Sequence, residues 1–169
     1  MEFRYEKDMR EPVVAWLEAQ GFVCVREVCS VSYNPIDIVA GRFAERVGRR
    51  IPALLDAVAV ELKLSDVNGV LAQAVRNRGC VERSFAAIPA SKCEKLRPKS
   101  IAAFAAEGVG LLSVRRDGLD VILAAQRSAG TDDRVYRNLW RRSGLARKRK
   151  PRVLQQLVME TTTEATDMF

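Results

Sequence analysis

Leu54-Leu55-Asp56-Ala57-Val58-Ala59-Val60-Glu61-Leu62-Lys63-Leu64 is the stretch whose reading sets the fold class and the chemistry together. It is apolar almost throughout, as a buried strand is, and polar residues emerge only at its end. Side chains alternate across a strand, so Glu61 and Lys63 project from one face while Leu62 turns to the other. Upstream, Ile36-Asp37-Ile38-Val39-Ala40-Gly41 is a second short apolar strand with one acid inside it. If the two strands pair, Asp37 sits beside Glu61, and two carboxylates and an ammonium gather at the edge of an apolar sheet.

The flanking segments build an α/β pattern around these strands. Val13, Val14, Trp16 and Leu17 form the apolar stripe of a helix over residues 5–20, although Pro12 allows a start near Arg10. Gly21 closes that helix, and residues 22–31 read as a first strand. Ser32 to Pro35 is turn material, and the charged stretch Arg42–Ile51 reads as a loop. Ser65 and Asp66 mark the start of a helix over 67–78. A strand over 84–89 follows, then a helical segment over 91–107, interrupted near Pro98 and stopped by Gly108. Strands over 109–114 and 119–124 are joined through Asp117-Gly118, a hairpin signal. The order α-β-β-β-α-β-α-β-β predicts a mixed sheet flanked by helices. A C-terminal helical extension follows it. This divides the chain into a domain over 1–125 and a basic extension with a polar tail over 126–169.

With 169 residues, 48% of them hydrophobic and 29% charged, the chain has the material for an ordinary core. No apolar run approaches the ~20 residues of a membrane span, and the charged first residues lack a secretion signal. A cytoplasmic location is the expectation. Cys24, Cys29, Cys80 and Cys93 contain no Cys-x-x-Cys pair and read as reduced, small apolar residues. The chain has no histidine, which removes Ser-His, Cys-His and histidine-base chemistry together. Carboxylates, lysine and a metal are left to carry any reaction.

The net charge of +7 is not evenly spread. Residues 1–126 hold 18 Lys/Arg against 16 Asp/Glu, whereas residues 127–152 hold 10 against 2. Arg134, Arg137, Arg141 and Arg142, followed by Arg147, Lys148, Arg149 and Lys150, interleave with Tyr136 and Trp140. Such a stripe can neutralise phosphates and release counterions, which makes nucleic acid the expected partner. The plainer alternative is a solvated appendage. Val135, Leu139 and Trp140 recur at helical spacing, so part of the segment is expected to dock on the core.

Charges gathered as Asp37, Glu61 and Lys63 are costly to desolvate unless something compensates them. A hard divalent cation, Mg2+ or Mn2+, offsets the repulsion between carboxylates, polarises a phosphoryl oxygen and lowers the pKa of a bound water. Lysine beside it can orient or deprotonate that water, or stabilise charge developing on phosphate. The set suffices for phosphodiester hydrolysis without histidine. The other reading is a strand-edge ion pair with no chemistry.

Asn34-Pro35-Ile36-Asp37, a gap of 23 residues, then Glu61-Leu62-Lys63 resembles the PD-(D/E)XK nuclease superfamily. The resemblance covers about residues 5–125 and implies a restriction-endonuclease-like core. It implies Asp37, Glu61 and the Leu62 carbonyl as metal ligands, and Lys63 in the catalytic role. It implies also that Glu6 or Glu11 on the first helix could add an acid. Gln73 resembles the glutamine that some lineages carry on the helix after the Glu-x-Lys strand. Pro35 departs from the pattern, standing two residues before Asp37 rather than one.

The leading expectation is therefore a metal-dependent DNA endonuclease, with a homodimer favoured if both strands are cut. The alternative is a non-catalytic nucleic-acid-binding or assembly protein on a nuclease-like scaffold. A basic tail that binds an acidic protein partner is the third.

Overall fold

The computed structural model describes residues 3–29, 35–45 and 52–145. A 3-10 turn, Glu6–Met9, leads into α1 (Arg10–Ala19), β1 (Val23–Cys29), β2 (Pro35–Phe43) and β3 (Leu54–Leu62). There follow α2 (Val67–Asn77), β4 (Arg83–Pro89), α3 (Ala90–Cys93) and α4 (Pro98–Ala106). The hairpin β5 (Gly110–Arg115) and β6 (Gly118–Leu123) precedes α5 (Asp133–Arg142). This is the mixed α/β order read from the sequence.

The strands form one six-stranded sheet in the order β1-β2-β3-β4-β5-β6. β1/β2, β2/β3 and β5/β6 pair antiparallel, whereas β3, β4 and β5 run parallel. The parallel pairs are spanned by helical connections, as they must be, because a tight turn cannot reverse the chain twice. Helices cover both faces. Met9, Val13 and Leu17 pack on one face against Ile38, Val58, Val60, Leu62, Phe85 and Leu112. On the other, Val70, Ala74 and Phe104 meet Ala86, Ile88 and Leu111, while Val135 and Leu139 of α5 meet Val39, Ala57 and Ala59.

Local boundaries differ from the sequence reading for identifiable reasons. The expected helix over 5–20 is a 3-10 turn followed by α1, and Pro12 is the third residue of α1. The first N–H groups of a helix have no internal acceptor, so proline is tolerated there. Gly21 then takes a left-handed φ of 80° to turn the chain into β1. β2 continues through Arg42 and Phe43, which pair with Asp56 and Leu54 across a bulge, so the expected loop begins later. Its residues 46–51 lie outside the described residues, as does the basic run Arg147, Lys148, Arg149, Lys150. β3 stops at Leu62, two residues earlier than expected. The 91–107 segment divides at Arg97, which is extended (φ −72°, ψ 149°) ahead of Pro98 at the start of α4.

α5 is part of the core. Val135 and Leu139 are fully buried, and Trp140 and Tyr136 contact Phe43. A Cβ at Gly41 would stand 3.0–3.1 Å from Leu54, Leu139 and Phe43, so glycine in β2 lets this helix approach. Leu139→Ala is expected to cost about 2–5 kcal/mol. A urea unfolding curve checks it through a lowered midpoint at unchanged slope.

Candidate active site

The antiparallel register of β2 and β3 pairs Ile38 with Val60. Continued by one residue it sets Asp37 opposite Glu61, whose side chain reaches α2. Backbone pairing does not continue there. Instead, Asp37 Oδ2 accepts the N–H of Leu62 at 2.9 Å, so the carboxylate is anchored to the end of β3. Its other oxygen, Oδ1, lies 3.9 Å from the Arg10 guanidinium of α1.

Glu61 is only 3% exposed. Its Oε1 accepts a 2.7 Å hydrogen bond from Asn77 Nδ2, at the last residue of α2. Burial is the main reason that its carboxyl is pushed up to about 7. The Asn77 hydrogen bond opposes this, the charge and hydrogen bonding of Asp37 add to it, and Lys63 opposes it. Buried and beside a second carboxylate, Glu61 thus favours its uncharged form.

Lys63 follows directly after β3, and its N–H donates to Ala87 O at 3.1 Å, tying it to β4. Its ammonium meets Glu6 Oε2 at 3.2 Å, so the 3-10 turn supplies an acid to the lysine. Glu11 borders a shallow cleft of ≈ 420 Å³ with Lys7, Asp8 and Arg10. Among the described residues, no group of three or more Asp, Glu, Cys or His is placed to hold a metal. Glu6 is engaged with Lys63, and Glu11 lines that cleft on the first helix. A cation, Arg10, approaches Asp37 from that helix.

Gln73 lies one turn before Asn77 on α2, and its Oε1 is buried with no hydrogen-bond partner among the described residues. The donor set fits a hard dication with two carboxylates. Mg2+ is commonly held by one or two carboxylates, with waters and phosphate oxygens filling the rest of its octahedron. A buried carboxylate, Glu61, with a second one beside it and an orphaned amide oxygen on α2 are what such an ion and its waters would satisfy.

Four arginines of the basic stripe belong to α5. Arg134, Arg137, Arg141 and Arg142 are exposed, while Val135, Leu139 and Trp140 face the sheet. Arg137 is paired with Asp133 at 3.6 Å, and Arg141 leans on Asn138 Oδ1 at 3.3 Å. The sequence reading did not single out Asn77 or Arg10. The helical spacing from Gln73 to Asn77 could have pointed to the first, whereas Arg10 had no distinguishing signal.

No family model matches the chain, and no curated protein does. A solved structure, a protein of unknown function from Silicibacter pomeroyi, is similar, with a TM-score of 0.58 at 16% identity. The match covers 100% of this chain and 99% of that one. At that identity the similarity speaks to the α/β fold alone.

Proposed function

We propose that this chain is a Mg2+- or Mn2+-dependent nuclease that hydrolyses phosphodiester bonds in nucleic acid, DNA first, on a restriction-endonuclease-like core of the PD-(D/E)XK type. The observation that carries the proposal is the opposition of Asp37 and buried Glu61 at the end of β3, with Lys63 two residues on. A structural ion-pair cluster has no need of two facing carboxylates, because burying like charges together costs stability.

In this reading Asp37, Glu61 and the Leu62 carbonyl hold the ion. When bound, the ion supplies a polarised phosphoryl oxygen and a water of lowered pKa. The Leu62 N–H fixes one oxygen of Asp37 and directs the carboxylate toward Glu61. Lys63, steadied by Glu6, presents a positive charge where negative charge grows on the phosphate. Gln73 offers its buried oxygen to a water in the site. The α5 arginines hold the backbone of the nucleic acid through phosphate contacts that carry no sequence information. A homodimer would bring one such site to each strand of a duplex.

Incubation of purified protein with supercoiled, linear, single-stranded and branched DNA in Mg2+ or Mn2+ tests the reading. Nicked or cut products, abolished by chelation, are expected. Intact DNA of every form, together with no calorimetric metal binding, would sink it. Salt-sensitive DNA binding without cleavage, unchanged by substituting Asp37 or Lys63, would instead favour a non-catalytic binding protein.

A further inference from the structure

We propose that Asn77 is a positioning residue that makes Glu61 a one-oxygen ligand and thereby tunes which divalent cation the site accepts. The inference rests on the reading of Asp37 and Glu61 as the metal-holding pair.

The buried stripe of α2 is Val70, Ala74 and Asn77. An aliphatic residue at the third position would continue the stripe at no desolvation cost, whereas a buried amide costs about 1–3 kcal/mol unless bonded. Asn77 is 4% exposed and its Nδ2 donates to Glu61 Oε1 at 2.7 Å, so the amide is spent on orienting this one carboxylate. The bond holds Oε1 toward α2 and uses one of its two lone pairs, which leaves Oε2 the freer oxygen for a cation beside Asp37. Small ions in strict octahedral geometry suit single-oxygen carboxylates, while Ca2+ accepts both oxygens of a carboxylate at longer distance. Outer-shell partners of this kind typically alter metal affinity by about 10–100-fold.

The test is calorimetric titration of the full chain with Mn2+ and, separately, with Ca2+ at fixed pH. Wild type is compared with Asn77→Ala and Asn77→Leu, the second filling the stripe if the first is poorly folded. Thermal unfolding without metal reports on the fold. Mn2+ affinity is expected to drop about 10–100-fold in both variants, with a smaller drop for Ca2+, so that selectivity narrows. Unchanged affinities, or an equal loss for both ions, overturn the proposal and leave the nuclease reading intact. A wild-type chain that binds neither ion overturns both.

Discussion

Asp37→Ala and Lys63→Ala are each expected to abolish the proposed phosphodiester cleavage, a loss of at least about 10³-fold, while leaving DNA affinity within a few-fold of wild type. The two losses have different origins and different companions. Asp37 accepts the Leu62 N–H at 2.9 Å and faces Glu61, so removing it strips a ligand from the proposed ion and frees a backbone donor. Calorimetry is expected to show Mn2+ binding lost in Asp37→Ala. Lys63 sits beyond the strand end and pairs with Glu6 at 3.2 Å, so its removal leaves the carboxylates in place. Metal binding is therefore expected to persist in Lys63→Ala while the proposed turnover disappears. Single-turnover assays at saturating metal separate the two cases. Cleavage at more than a tenth of the wild-type rate in either variant would contradict the roles assigned.

The second large effect is on stability. Glu61 has a folded pKa near 7 against an ordinary value of 4.5, chiefly because it is buried. The fold therefore favours the protonated form. Its contribution to stability is complete below about pH 4.5 and is lost as the pH rises through about 7. At about 1.36 kcal/mol per pH unit, the loss across that window reaches about 3 kcal/mol. Metal-free wild type is expected to unfold at lower temperature at pH 8 than at pH 5.5. Glu61→Gln, neutral throughout, is expected to remove this component of the slope. Mn2+ at pH 8 is expected to restore wild-type stability and to leave Glu61→Gln unimproved, since an ion bound only by the folded state stabilises it by mass action. Parallel pH profiles for the two proteins would show that Glu61 is ionised in the fold at no cost.

Much of the architecture was legible because it is written in local patterns. The apolar run 54–62 reads as a buried strand, Asp66 as a cap, and Asp117-Gly118 as a hairpin. The errors fall where tertiary contacts override those patterns. Arg42 and Phe43 look like loop residues, yet they extend β2 because Asp56 and Leu54 stand opposite them. Asp37, Glu61 and Lys63 were readable as candidates, since charges interrupting apolar strands announce themselves. The pairing of Glu6 with Lys63 had no local signal, since 57 positions separate the two along the chain.

The sequence by itself determined the order of elements and which residue types are available for chemistry, because alternation, capping and turn residues act over a few positions, and a chain without histidine has no imidazole to offer. Only the tertiary structure decided which charges share an environment. The register that faces Asp37 to Glu61, the burial that raises the glutamate, and the approach of Asn77 from α2 and Arg10 from α1 join residues far apart along the chain. Their interactions follow from distance and desolvation in space, which no local pattern of residues encodes.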